Sequence, residues 1–484
     1  MPTAARTSVS TRTTNSSFLG RALNRLRDWT GSEPGGVRPL SVSPDLTGDD
    51  KALLRRQIDA CLDGRGGAVS VRLRAAELGR AYLDLSAEGQ KQFFLLLAEF
   101  YDVDDAAVAA AVEGLSAAED DDARAAAHRK LRQSLVTPRI ELFRQFNSLD
   151  RGVKFLVDMR ADLLKLLRTD RDLRPVLRGV DDDLQGLLRD WFDVGFLDMA
   201  QITFNSPASL LEKLIKYEAV HEIRSWNDLK NRLDSDRCCF SFVHPNMPDE
   251  PLIFVEVALV KGIADNVHDL LDENAPAKNA EEADTAIFYS ISNCQSGLAG
   301  VGFGDFLIKR VVDRLSRRLP NLKTFATLSP IPGFRRWLSA ELEKEGDVLP
   351  EGQARLISAI ARNPSGNAAL KQLLEQDAWY GDPDVVGALR DPLHALCAHY
   401  LLNEKDGRGR PLDPVARFHL NNGARVERLN WLGDRSEAGM RQAAGMMVNY
   451  LYKLDDIEKN HEAYRGEGKI AAASSIQRLA RAGG

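Results

Sequence analysis

From residue 46 to about 188, apolar side chains recur every three or four positions, the spacing that lines one face of a helix. Phe93, Leu96, Leu97 and Phe100 make one such face, with Ser86 placed to cap its start. Leu156, Met159, Leu163, Leu166 and Leu167 make another. The acidic runs Glu119-Asp120-Asp121-Asp122 and Asp181-Asp182-Asp183, together with Pro138 and Pro175, are expected to separate helices. No repeat of fixed length is visible, so a solenoid is not supported. The pattern predicts an all-α bundle that packs, braces or self-associates, with no chemistry of its own.

Residues 191–233 are transitional, with a helix expected around 210–223. Strand patterns follow. Residues 239–243 form one, and 252–260 a longer one that is apolar on both faces except for Glu256, as in a central strand. Between them 244–251 reads as a proline-broken turn, and 265–282 as a polar surface helix and loop. Residues 286–291 are a buried strand. A loop with four glycines (Gly297, Gly300, Gly302, Gly304) leads from it into a helix whose inner face is Phe306, Leu307, Val311, Val312 and Leu315. A second strand, 322–328, ends at Ser329-Pro330-Ile331-Pro332. Beyond this βαβ unit, helices are expected over 334–345, 356–380 and 389–402. A loop over 405–411, a strand over 425–432 and a long helix from 436 past 452 complete the chain. In that last helix Met446, Met447, Tyr450 and Leu451 read as packing residues.

A chain of 484 residues is long enough for two or three domains. Its hydrophobic content of 44% and charged content of 28% are those of a soluble globular protein. A net charge of −6 argues against nucleic acid, and no apolar run is long enough to span a bilayer. Five scattered cysteines without a Cys-x-x-Cys pair indicate a reducing compartment, with Cys238 and Cys239 on opposite faces of one strand. Residues 1–36 hold five arginines and no acid before Asp28, a composition shared by organelle transit peptides and disordered leaders. The Ala- and Arg-rich body points to a bacterial protein of the cytoplasm.

Three places could carry chemistry. Glycines let a backbone approach a ligand closely, and the helix start after them offers N–H groups to an anion, so the loop fits either a pyrophosphate or a tight turn without a ligand. Ser329 closes a strand where ligands of open α/β sheets sit, stiffened by Pro330 and Pro332, whose missing N–H groups should end ladder pairing. It is equally a turn serine bonded to local backbone. His419, between Phe418 and Leu420, is either a core histidine or a catalyst. Zinc-protease, nucleophile-elbow and Cys-cluster signatures are all missing.

The segments 286–292, Gly304-Asp305-Phe306-Leu307-Ile308-Lys309-Arg310 and Leu328-Ser329-Pro330-Ile331-Pro332-Gly333-Phe334 occur in one order with Pro414-Val415-Ala416, Phe418-His419-Leu420, Asn422-Gly423 and Asn430-Trp431. Together they resemble the malonyl-CoA decarboxylase family from about 197 to 479, and more loosely back to 46. Composition and pattern give an α+β multidomain chain with a disordered leader (1–45) ahead of a helical domain (46–190), and the resemblance adds that the helical domain mediates oligomerisation and that 191–484 is an acetyltransferase-like (GNAT) α/β catalytic domain. It implies that Ala299, Gly300, Val301, Gly302, Phe303, Gly304 and Asp305 hold the acyl-CoA pyrophosphate, although Gly297 stands where acetyltransferases carry Gln or Arg. It makes Ser329 and His419 the family's serine–histidine pair, both also contacting substrate. The reaction implied, malonyl-CoA to acetyl-CoA and CO2, needs no cofactor and no metal, because the thioester carbonyl is the electron sink. Ser329 would orient the substrate and His419, with an ordinary pKa near 6.5, would protonate the α-carbon. The expected partners are malonyl-CoA and further copies of the chain. The alternatives are an acyl-CoA-dependent N-acetyltransferase and a non-catalytic acyl-CoA sensor.

Overall fold

The computed structural model of the chain describes residues 40–64, 66–302 and 307–483. The leader expected over 1–45 lies almost wholly outside the described residues, as do Phe303, Gly304 and Asp305 of the glycine loop. The chain divides into two compact units, one running to Asp190 and including Ser296–Gly300, the other comprising Trp191–Gln295 and the residues from Val301 on.

The described residues of the first unit are built from helices and their connections. Helix Ala87–Phe100 starts where Ser86 Oγ accepts the Gly89 N–H, and it buries Phe93, Leu96 and Leu97 while Phe100 is exposed. Helix Gly152–Thr169 buries Leu156, Met159 and Leu163. Each such side chain removed from water contributes roughly 1.5–3 kcal/mol, and Phe143 and Phe146 are fully buried as well. The acidic run at 119–122 does separate two helices, with Asp120 capping Asp121–Ser134. The run at 181–183 does not. It lies inside helix Arg174–Trp191, where Asp181 accepts from Arg160 Nε at 2.7 Å and Asp183 from Arg139 Nε at 2.6 Å. Aspartate is a poor helix former, but two buried arginines that need counter-charges outweigh that small preference. Arg160 also donates to the carbonyls of Gly297 at 2.7 Å and Ala299 at 2.8 Å.

The second unit is a mixed sheet. Its strands are β1 (Asp198–Ile202), β2 (Arg237–His244), β3 (Met247–Val260), β4 (Thr285–Asn293), β5 (Thr324–Thr327), β6 (Ser329–Pro330), β7 (Arg425–Asn430) and β8 (Met447–Leu451). The order is β1-β2-β3-β4-β5-β8-β6, with β7 also on β8. Among the named strands of the described residues only β4 and β5 pair in parallel, with helix Leu307–Arg318 between them in sequence, which buries Leu307, Ile308, Val311, Val312 and Leu315. The turn between β2 and β3 is shorter than expected, because β3 already begins at Met247. Glu256, the one acid in the apolar stretch 252–260 of that strand, receives the buried Arg232 guanidinium at 3.1 Å.

Two features differ from the sequence pattern. No long helix spans 436–452: helix Glu437–Ala443 ends at Ala444 and Gly445, both left-handed (φ 50° and 76°), and the chain continues as β8. Nor do the prolines after Ser329 end pairing. Leu328 N–H still bonds Phe288 O at 3.0 Å, and Ser329–Pro330 then pairs with β8, so the chain changes partner instead of leaving the sheet. Alternate residues here face opposite ways. Ala326, Leu328 and Met447 join Ile287 and Tyr289 in a core cluster, and the residues between them carry polar chemistry.

Candidate active site

Helix Pro414–Asn421 begins with an aspartate cap: Asp413 Oδ1 accepts from Val415 N and Ala416 N, both at 2.9 Å, and Pro414 takes the position where no N–H is required. Asp413 is fully buried, and burial raises its carboxyl above the ordinary range against the pull of these N–H groups. The cap fixes the helix on which His419 sits. The His419 ring lies flat against Tyr450 of β8, with centroids 4.6 Å apart and planes 24° apart.

His419 Nε2 is 3.2 Å from Ser329 Oγ, and His419 Nδ1 is 2.7 Å from the Tyr452 hydroxyl. Ser329 donates its own proton to Thr327 Oγ1 at 2.8 Å, and Thr327 Oγ1 also accepts the Tyr450 N–H at 3.1 Å. Thr327 is in turn held through its carbonyl by Asn449 Nδ2 at 2.7 Å. Both members of the pair are buried, Ser329 at 5% exposure and His419 at 3%.

These contacts fix the proton positions. Loss of water around His419 lowers its pKa to about 3, so the ring is neutral at physiological pH and carries a single N–H. Burial likewise raises Tyr452 well above the usual phenol range, so its hydroxyl keeps its proton. With the Ser329 proton directed at Thr327, the contact between serine and ring needs hydrogen on Nε2. Nδ1 then accepts from Tyr452. The neutral chain therefore runs from Tyr452 through His419 and Ser329 to Thr327. The expectation of an ordinary histidine pKa fails here, because the ring is fully enclosed.

Of the residues singled out in the sequence, Ser329 and His419 are brought into contact across 90 positions. The glycine loop is different. Ala299 and Gly300 belong to the helical unit, and Gly300 (φ 77°) has a backbone that disfavours any side chain and would press a Cβ onto Gln185. Val301 and Gly302 open the second stretch of the sheet unit, and the remaining three loop residues lie outside the described structure. Thr327, Tyr450, Tyr452 and Asp413 were missed. Thr327 was legible as the residue two before Ser329 on the same strand face, and Asp413-Pro414 as a helix start. The two tyrosines were hidden by reading β8 as helix.

A pocket of about 260 Å³ adjoins this network, with Tyr452 and Asn422 in its wall beside Ile308 and Val312. Among the described residues no group of acids, histidines or cysteines is arranged to hold a metal ion. All five cysteines are buried free thiols. No helix among the described residues is long and apolar enough to cross a membrane.

Residues 195–483 match the malonyl-CoA decarboxylase C-terminal domain, and residues 101–192 the N-terminal domain of the same family. The chain is 39% identical over 417 residues to mitochondrial malonyl-CoA decarboxylase of Anser anser anser, covering 83% of this chain and 82% of that one. It is 40% identical to the Mus musculus protein of the same name over 73% of each chain. The crystal structure of malonyl-CoA decarboxylase from Rhodopseudomonas palustris is similar at a TM-score of 0.80 and 42% identity, over 88% of this chain and 99% of that one. The Agrobacterium vitis structure is similar at a TM-score of 0.78, with the same identity and coverage.

Proposed function

The chain belongs to the malonyl-CoA decarboxylase family, and we propose that it converts malonyl-CoA into acetyl-CoA and CO2 at the buried Ser329–His419 pair. The observation that carries the assignment to this pair is the direction of its hydrogen bonds. A nucleophilic serine needs its proton drawn toward the ring. Here Ser329 gives its proton to Thr327, and the ring's Nε2–H is aimed outward at the serine oxygen. That arrangement suits a fixed hydroxyl that orients a substrate and a ring that delivers a proton.

Breaking the bond between the α-carbon and the carboxylate sends its electron pair into the thioester carbonyl, giving CO2 and an enolate. One proton must then reach the α-carbon. The substrate carboxylate beside His419 favours the charged ring, reversing the effect of burial, so the ring takes up one proton from solvent at Nδ1 as substrate binds. Nε2–H passes to the carbon, and the neutral ring is left with its hydrogen on Nδ1, where the Tyr452 oxygen accepts it. Ser329 holds the thioester so that the breaking bond stands out of its plane. Backbone N–H groups that stabilise the enolate oxygen would each contribute roughly 3–4 kcal/mol.

The pocket beside Tyr452 is assigned to the acyl-CoA arm, and residues 299–305, directly ahead of helix Leu307–Arg318 in the sequence, to its pyrophosphate. The GNAT assignment belongs to the same proposal. It is supported by the parallel pair β4–β5, which ends at Phe288 and Thr327 while β4 runs on to Asn293, and by the irregularity opposite Glu256 and Val257. We further assign self-association to residues 46–190, catalysis to 191–484, and the cytoplasm as the compartment.

Incubation of the purified protein with malonyl-CoA alone in heavy water tests the reading. CO2 and an acetyl group carrying one deuterium are expected. Absence of CO2, or consumption of acetyl-CoA only when an amine is supplied, overturns it.

A further inference from the structure

Apolar walls from Ile308, Val312 and Ile457 give the pocket beside Tyr452 room for an uncharged arm, but its charged groups are unevenly shared. Glu458 and Glu462 stand one turn apart on helix Ile457–Glu467, and such a pair repels an anion. Against them the wall offers one lysine, Lys309, and the histidine His461, whose Nδ1 is bonded to the Asn421 carbonyl. Lys309 sits on helix Leu307–Arg318 and its side chain is partly exposed, so the ammonium group can reach solvent as well as its partner. Its Nζ is 3.0 Å from Glu458 Oε1, joining the two helices that frame the pocket.

That ion pair is easily exchanged. Its members are 41% and 84% exposed, and pairs in water are worth only about 0–1 kcal/mol. A phosphate offers more charge and more acceptor oxygens than a carboxylate. An anionic ligand entering the pocket meets two glutamates unless Lys309 changes partner. We propose that Lys309 is a phosphate-binding residue for the CoA ester, held by Glu458 in this structure and transferred to a ligand phosphate on binding. The inference rests on the acyl-CoA reading of the pocket and names a residue for it.

Steady-state kinetics with malonyl-CoA and with phosphate-free malonyl-pantetheine separate this role from a structural one. Lys309→Ala should raise KM for malonyl-CoA about tenfold, the usual loss for one bond to a charged group. Its kcat should stay within about twofold, since the lost interaction is made equally in ground and transition states. KM for malonyl-pantetheine should not move, Lys309→Arg should restore the wild-type value, and Glu458→Gln should lower KM for malonyl-CoA. An unchanged KM in Lys309→Ala, or an equal rise with both substrates, overturns the proposal. So does a Glu458→Gln variant as impaired as Lys309→Ala, because the pair would then merely brace the helices. Calorimetric titration with CoA needs no turnover and keeps the two readings apart. Wild-type protein that binds CoA through Lys309 but releases no CO2 defeats the decarboxylase reading alone. Wild-type turnover with undiminished CoA binding by Lys309→Ala defeats only the phosphate assignment.

Discussion

At the scale of single residues, enclosure decides how His419 behaves. Its pKa is lowered in the folded protein to about 3 from the ordinary 6.5, so the unfolded chain binds the extra proton first as pH falls. The stability tied to the neutral ring is complete above pH 6.5 and is lost progressively between 6.5 and about 3. Denaturation measured across that window should show a steeper acid loss for wild type than for His419→Gln, by about 1.4 kcal/mol per pH unit, the weight of one proton. Equal slopes would mean that the ring is hydrated. The same enclosure predicts a kcat/KM profile without an ionisation of His419 near pH 6.5. His419→Asn should reduce turnover by about 10²–10⁴-fold. Thr327→Val removes the acceptor of the Ser329 proton and strands the Tyr450 N–H. With Ser329 misdirected, kcat should fall by about 10–100-fold, whereas Thr327→Ser should retain most activity.

At the scale of elements, the site depends on how helices and strands begin and end. The Asp413-Pro414 start holds the helix of His419, and Asp413→Ala should cost about 1–2 kcal/mol of stability, the usual worth of a cap. Activity should fall further than that loss explains, since the ring would no longer sit opposite Ser329. Asp413→Ser, which can still cap, should recover much of both in thermal melts and assays. Gly333 lies where a Cβ would collide with the Tyr400 hydroxyl, so Gly333→Ala should disturb the same support. The misread segment after 436 is equally instructive. Its apolar residues fit a helix by spacing, but two left-handed residues at 444 and 445 interrupt it, and Val448, Tyr450 and Tyr452 then follow a period of two.

For the whole molecule, the helical unit is braced by two arginines with almost no contact with water. Arg160 joins Asp181 to the carbonyls of Gly297 and Ala299, and Arg139 joins Asp183 to Asp102. Removing one partner of a buried pair typically costs about 3–5 kcal/mol. Arg160→Met should therefore lower the denaturant midpoint clearly, and an unchanged midpoint would show the pair to be dispensable. The self-association assigned to residues 46–190 predicts a light-scattering mass above that of one chain. Cutting near Trp191 should reduce that mass, and a full-length monomer across micromolar concentrations would refute the assignment.

The sequence by itself determined that helices precede a sheet, that a buried strand covers 286–291 ahead of a glycine-rich segment and a helix, and that Glu256 is the one acid in the apolar run 252–260. Those features follow from local periodicity and from residues with few backbone options. It also contained the ordered motifs that mark the family. Only the tertiary structure decided that Asp181 and Asp183 stay helical, because their arginines lie far away in the chain. Only it made β8 a strand, paired with β5, β6 and β7, since a short apolar run takes the form its neighbours can pair with. The charge state of His419 and the path of the protons around it were likewise outside the sequence's reach, because a pKa is set by what surrounds a group in space, and here that is Tyr450, Tyr452 and Ser329 rather than Phe418 and Leu420.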